Sequence, residues 1–90
     1  MIEGKTKSGF KYKFPKENLE NYELLETLAE LEDNPLATVR AIDLLLGKEQ
    51  TEKLKDHVRT ESGVVPTEAM GEEVKEIFES QAENENVKNS

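Results

Sequence analysis

The chain has 90 residues, enough for one small domain, and a formal net charge of −8. It contains no cysteine, so disulfides and thiolate zinc sites are excluded. No stretch approaches the roughly 20 apolar residues that a membrane-spanning helix requires. The first residues also lack an apolar run of signal-peptide length. We therefore expect a cytoplasmic protein that makes no use of a membrane.

The charge is unevenly distributed along the chain. Residues 1–16 carry five lysines and one glutamate, a net charge of +4, whereas residues 17–90 carry −12. Such an acidic body argues against general nucleic-acid binding, because neutralising phosphates requires clustered lysine and arginine. The simplest explanation of the early lysines is that they keep a β-hairpin soluble and protect its edges from pairing with other chains.

Residues 10–14, FKYKF, alternate between aromatic residues and lysines. A period of two places the three rings on one face of a strand and both lysines on the other. Ser8-Gly9 comes just before, and glycine can adopt the positive φ that a tight turn requires. The pattern predicts a β-hairpin over residues 2–14. Since an isolated hairpin is marginal in water, we expect its aromatic face to pack against helices.

The next segment predicts two helices separated by Asn34-Pro35. From about Glu17, apolar residues recur at spacings of three and four, which indicates an amphipathic helix over residues 17–33. Asn34 is a good N-cap and Pro35 suits the first helical position of a second helix, over residues 35–46. Its apolar residues include one stripe at helical spacing: Leu36, Val39, Ile42 and Leu46.

Gly47 fits the position just after this second helix, where glycine is common because the backbone turns left-handed. Leu44 and Leu45 widen the apolar stripe until little polar surface remains. We therefore expect the second helix to be the central one, contacted from several sides.

A weaker third helix is predicted over residues 48–60 and a last helix over residues 66–80. Four apolar residues of the last helix fall at i, i+4, i+7 and i+8, namely Met70, Val74, Ile77 and Phe78. Residues 81–90 are polar and asparagine-rich, which is typical of a disordered tail. Together these patterns predict one domain over residues 1–80. Its fold would be mainly α with a small N-terminal β-hairpin (α+β), with about four short helices packed as one compact bundle.

The sequence contains few residues of the types that usually act in catalysis or in metal and phosphate binding. His57 is the only histidine, and we interpret it as a surface residue. Glu72, Glu73 and Glu76 are explained by a solvated helix face near an N-terminus, where acids favour the helix dipole. The glycines are scattered singly, without a phosphate-binding loop. We expect no catalytic residues, no metal site and no cofactor, and hence no enzymatic activity.

Three segments occur in an order that resembles a known family. They are ENYELLETLAEL at residues 20–31, NPLATVRAIDLLLGKEQTEKLKDHV at residues 34–58 and GVVPTEAMGEEVKEIFE at residues 63–79. Together with the alternating aromatic strand, they are similar to the small tail assembly chaperones of long-tailed phages and of prophages in Gram-positive bacteria. The resemblance covers about residues 10–79 and consists of packing residues rather than a catalytic signature.

The resemblance implies a function in virion assembly, in the cytoplasm of a bacterial host. A chaperone of this family holds the tape measure protein soluble and helps tail tube subunits polymerise around it. The tail tube protein is then a second candidate partner, and self-association is left open. An apolar helical face should meet helices of the tape measure protein. The candidates for it are the last helix's Met70, Val74, Ile77 and Phe78, which serve equally well as core residues.

The alternative is a small acidic regulator, antitoxin-like or repressor-like, that acts through protein or DNA binding. In this interpretation the lysine-rich hairpin would meet DNA. A third alternative is an acidic protein that mimics nucleic acid. A mobility shift of DNA that weakens with salt would favour the regulator.

Overall fold

The computed structural model describes the backbone of residues 1–89 and the side chains of residues 1–81. Two strands are followed by a short 3-10 helix and three α-helices. In chain order these are β1 (Ile2–Lys5), β2 (Lys11–Phe14), the 3-10 helix (Lys16–Asn18), α1 (Tyr22–Glu30), α2 (Ala37–Val58) and α3 (Thr67–Asn89). The prediction of a mainly helical protein with a small N-terminal hairpin is confirmed. Within the described backbone, none of the helices is long and apolar enough to cross a membrane.

The described part of the chain contains three α-helices, so the predicted number of four is wrong. The predicted helices 35–46 and 48–60 are merged in α2, which continues through Gly47. Gly47 nevertheless has φ 79° and ψ 169°, far from helical values, and it kinks α2 into two halves. The positive φ expected at Gly47 is therefore confirmed, but the chain enters the next helical turn directly instead of forming a loop.

The first helix is shorter than the predicted 17–33. The backbone N–H of Glu23 donates to Asn21 Oδ1 at 3.0 Å, so Asn21 caps α1 and fixes its start. Before the second helix, the Leu36 N–H donates to Asn34 Oδ1 at 3.2 Å, but the N-cap position of α2 is Leu36 rather than the predicted Asn34 and has no side-chain cap. The Asn21 side chain thereby satisfies a backbone donor of α1 that has no partner within the helix.

The last helix runs past its predicted end at residue 80, since α3 extends to Asn89. The sequence predicted a disordered tail over residues 81–90. The side chains of residues 82–90 and the whole of Ser90 lie outside the described part of the chain. That part of the interpretation stays a prediction.

The hairpin turns through residues 7–9. The Thr6 N–H donates to the Phe10 carbonyl and the Gly9 N–H to the Thr6 carbonyl, both at 2.9 Å. Gly9 has φ 97°, as a three-residue hairpin loop with a glycine bulge requires. The strands pair antiparallel, with Gly4 opposite Tyr12 and Lys5 opposite Lys11. This confirms the predicted hairpin and its tip.

The aromatic face of the hairpin closes one side of the hydrophobic core. Phe10, Tyr12 and Phe14 are buried there. α2 is central, since it packs against α1, α3 and β2. The helical core residues are Leu24 and Leu31, then Ala37, Ala41, Ile42, Leu45, Leu46 and Leu54 of α2, and Met70, Val74 and Ile77 of α3.

The buried stripe of α2 differs from the predicted one. Ile42 and Leu46 are buried as expected, but Leu36 and Val39 are exposed. The buried positions in the first two turns are instead taken by Ala37, Thr38 and Ala41. Small side chains there allow neighbouring helices to approach α2 closely, and the larger Leu36 and Val39 remain on the outside.

A candidate binding groove on the kinked helix

The four residues predicted to contact a partner lie mostly in the core. Val74 and Ile77 are fully buried, Met70 is nearly so, and Phe78 is partly buried. A partner could reach Val74 and Ile77 only if α3 moved away from α2. Their assignment as a binding surface stays a prediction, and the accessible apolar surface lies elsewhere.

An open groove of about 850 Å³ lies along α2. Residues from both halves of α2 line it, on either side of Gly47, together with the connector and the first turn of α3. Its volume falls within the range of about 300–1,000 Å³ that is usual for binding pockets. The apolar lining consists of Leu36, Val39, Ile42, Val65 and Met70. Met70 is therefore the one predicted contact residue that reaches this groove.

The outer part of the groove carries unusually exposed apolar side chains. Leu36 is 80% exposed and Val39 is 73% exposed. They are one helical turn apart, so both project from the same side of α2. Exposed apolar residues that adjoin an apolar groove are typical of interaction surfaces, whereas single ones are ordinary. This combination marks the groove as the best candidate binding site.

Charged side chains of both signs surround the apolar lining. Arg40 Nη2 lies 3.2 Å from Glu23 Oε2 of α1, and Lys55 Nζ lies 2.8 Å from Glu52 Oε2. Asp43 and Lys48 complete this rim. The two ion pairs are solvent-exposed, and exposed pairs contribute at most about 1 kcal/mol. They can rearrange when a partner binds, so the rim adds solubility without closing the groove.

A second cluster joins the tip of the hairpin to α2 and α3. Thr6 and Ser8 hydroxyls donate to the same carboxylate oxygen, Glu73 Oε1, at 2.8 and 2.9 Å. Lys7 donates its backbone N–H to Glu76 Oε2 at 2.7 Å. Glu73 is only 7% exposed, so the prediction that it belongs to a solvated face is wrong. Its carboxylate instead holds the hairpin tip against α3.

His57 adjoins this cluster from α2. Its Nε2 lies 3.0 Å from the Ser8 Oγ, and its ring lies 5.6 Å from that of Phe10. In the arrangement in which the Ser8 hydroxyl donates its one proton to Glu73, the His57 Nε2 is the donor toward Ser8. A serine activated as a nucleophile needs the opposite arrangement, with histidine accepting the proton. The cluster is therefore a clasp between three elements.

Metal-ligating side chains do not converge anywhere in the part of the chain that the structure describes. Helical spacing alone did not reveal the groove, because Leu36 and Val39 have the spacing of core residues. The series Ala37, Ala41 and Leu45 also has helical spacing, and in the structure all three of these residues are buried.

Comparisons with known proteins do not add a relative. No protein-family model, no curated protein and no solved structure matches this chain. The features of this chain that bear on its function are the groove, the charge distribution and the order of the sequence segments.

Proposed function

We propose that this protein is a phage or prophage tail assembly chaperone that binds and solubilises the tape measure protein and promotes tail tube assembly. The observation that carries the proposal is the apolar groove with Leu36 and Val39 exposed at its edge. The order of the three sequence segments supports it independently. In this proposal the client site lies on α2, with Met70 as the contribution of α3.

The groove suits a helical client. An amphipathic helix presents apolar side chains at i, i+3 or i+4, and i+7, which would enter the groove in sequence. The lining offers aliphatic side chains and a methionine thioether, and such surfaces adapt to several client sequences. Adaptability matters for a long client that presents many similar helical segments.

The charge of the protein suits temporary solubilisation. The net charge of −8 keeps a complex in solution when the client itself is apolar. A small apolar groove with an exposed rim yields moderate affinity, because association costs offset much of the apolar burial. Moderate affinity allows tail tube subunits, the second proposed partner, to displace the chaperone in the host cytoplasm.

Co-expression with the candidate tape measure protein tests this function. Its gene is sought next to that of this protein. The variant Leu36→Asp/Val39→Asp places two charges in the groove, and Leu25→Asp, with one charge outside the groove, is the control. Leu25 is 53% exposed on α1 and does not line the groove, so both variants should fold. We expect the soluble yield of the tape measure protein to rise with wild type and Leu25→Asp only.

Two results would contradict the proposal in different ways. An unchanged soluble yield with wild-type protein, and no complex by size exclusion, would reject the chaperone function. A full effect of the double-aspartate variant would leave the chaperone function in place but reject the groove as its site.

The alternative function is a small acidic regulator that acts through protein or DNA binding. The observation that favours it is the set of exposed lysines on the hairpin. A shift of duplex DNA mobility that falls steeply with salt would support this alternative over the chaperone.

A further inference from the structure

The outward face of the hairpin carries one repulsive and one attractive pair of charges. Lys5 lies directly opposite Lys11, and Lys13 lies opposite Glu3. Thr6 and Phe10 form a hydrogen-bonded pair, so by alternation Lys5 and Lys11 form a non-hydrogen-bonded pair, whose side chains lie closer together. Like charges at such positions repel one another. We call Lys5, Lys11 and Lys13 the lysine face.

Within the strand pair, Glu3 lies opposite Lys13, whereas Lys5 and Lys11 face each other without a carboxylate between them. Among the described residues, none of the ion pairs includes a hairpin lysine. The carboxylates nearest to the hairpin tip, Glu73 and Glu76, accept from hydroxyls and a backbone N–H instead. All three lysines are exposed. The face therefore has charge available for an external anion.

The adjoining edge of β1 offers backbone groups as well. In a non-hydrogen-bonded pair the N–H and C=O groups point away from the partner strand, so those of Lys5 and Glu3 face outward. On the opposite edge, the Lys13 N–H is already bound to Gln50 Oε1 of α2 at 3.3 Å. No comparable acceptor meets Glu3 or Lys5 among the described residues. An extended segment therefore meets fewer occupied backbone groups at β1 than at β2.

The chemistry of this surface favours an acidic protein segment over a nucleic acid. The aromatic rings of the hairpin are buried on the inner face, so they offer no stacking platform for bases. No arginine occurs among residues 1–16 to read base edges, and the rest of the chain carries −12, which repels phosphates. A short acidic segment needs complementary charge only at the lysine face itself.

We propose that the lysine face and the free edge of β1 bind an extended, acidic segment of a partner protein by strand addition. Side chains of the added strand alternate between the two faces of the sheet. Acidic residues fit beside Lys5 on the outward face. Apolar residues fit beside the half-buried Ile2 on the inward face. This site is separate from the groove and does not require the proposed chaperone function.

Fluorescence anisotropy with a labelled eight-residue peptide of alternating Glu and Val tests the proposal. The test variant is Lys5→Glu/Lys11→Glu, which keeps a like-charged pair and should therefore keep its stability. The control is Lys53→Glu/Lys75→Glu, which changes the net charge equally at exposed positions outside the hairpin. We expect the test variant to bind about tenfold more weakly than wild type. The control should stay within about twofold, because screening limits distant charges.

Backbone amide NMR of the wild-type protein supplies the second measurement. We expect the peptide to shift the amide signals of Glu3 and Lys5 more than that of Lys13. Equal weakening in both variants would overturn the proposal, because it would reduce the effect to net charge. No binding to wild type would also overturn it. Tighter binding of duplex DNA than of the peptide would overturn it in favour of a nucleic-acid surface.

Discussion

Gly4 makes room for the Tyr12 ring across the hairpin. The two residues face each other in the strand pair, and a Cβ at Gly4 would overlap the ring. Tyr12 cannot move freely, because its hydroxyl accepts a hydrogen bond from Gln81 Nε2 of α3 at 2.8 Å. We predict that Gly4→Ala lowers the free energy of unfolding by about 1–3 kcal/mol, as overpacking usually does. Urea titration measures this.

Gly71→Ala is the control for this substitution. A Cβ there would meet Thr38 side-chain atoms at 3.8 and 3.9 Å, which is ordinary van der Waals contact. Since Gly71 lies within α3, alanine should be neutral or stabilise by up to about 1 kcal/mol. Equal losses in both variants would show that the Tyr12 ring is not the obstacle.

Lys5 and Lys13 provide a second pair of residues with opposite expectations. Lys5→Glu replaces a like-charged pair with Lys11 by an attractive one, so we predict stabilisation by about 0.2–1 kcal/mol. Lys13→Glu creates a like-charged pair with Glu3 and should destabilise by a similar amount. Thermal unfolding at low salt measures both. The same sign for both variants would mean that net charge outweighs cross-strand pairing.

At the scale of elements, the kink of α2 depends on Gly47. Its φ of 79° and ψ of 169° fall in a region that is essentially restricted to glycine. A Cβ added at Gly47 would meet none of the described atoms within 4 Å, so steric overlap is not the obstacle. We predict that Gly47→Ala costs about 1–3 kcal/mol of stability through backbone strain alone. Urea titration against Gly71→Ala isolates this effect from the general consequence of replacing glycine in a helix.

The same substitution should also affect the groove. Because both halves of α2 line it, any straightening of the kink changes the distance between its walls. The solubilising effect on the tape measure protein should then fall in Gly47→Ala under conditions where the variant remains folded. An unchanged stability would show that the backbone relaxes to another conformation at Gly47.

The elements differ in how far the sequence could predict them. The hairpin was predictable because FKYKF alternates strictly and Gly9 follows a polar tip. The number of helices was not, because Gly47 is typical of a helix end but can also join two helical halves directly. The inward face of α2 was ambiguous, since Leu36 and Ala37 each begin a stripe of residues at helical spacing. Only packing against α1 and α3 decides between them.

The clasp at the hairpin tip was beyond sequence reasoning for a different reason. Its hydrogen bonds join Thr6 and Ser8 to Glu73, which is more than sixty residues away along the chain. Glu73 is one of several acids in α3, and nothing local distinguishes it from its solvated neighbours. A buried carboxylate is tolerated there because hydroxyl donors from the hairpin satisfy it.

At the scale of the whole molecule, the two proposed surfaces depend on different forces. The groove attracts a partner by apolar burial, and its rim carries charges of both signs. The lysine face attracts a partner by charge. It lies within residues 1–16, whose net charge is +4, whereas residues 17–90 carry −12. One molecule could therefore hold an apolar helix and an acidic strand at once, and the two bindings should respond differently to ionic strength.

Salt titration separates the two surfaces. Between about 50 and 300 mM NaCl, screening shortens the reach of exposed charges to less than about 10 Å, so binding of the alternating Glu-Val peptide should weaken about tenfold. Binding of a tape measure helix peptide in the groove should change by less than about twofold, because apolar burial is little affected by this range of salt. Fluorescence anisotropy of each labelled peptide measures both affinities.

Each peptide should also retain its affinity for the variant altered at the other surface, Leu36→Asp/Val39→Asp or Lys5→Glu/Lys11→Glu. A parallel loss of both affinities with salt, or in either variant, would mean that the two peptides share one electrostatic site.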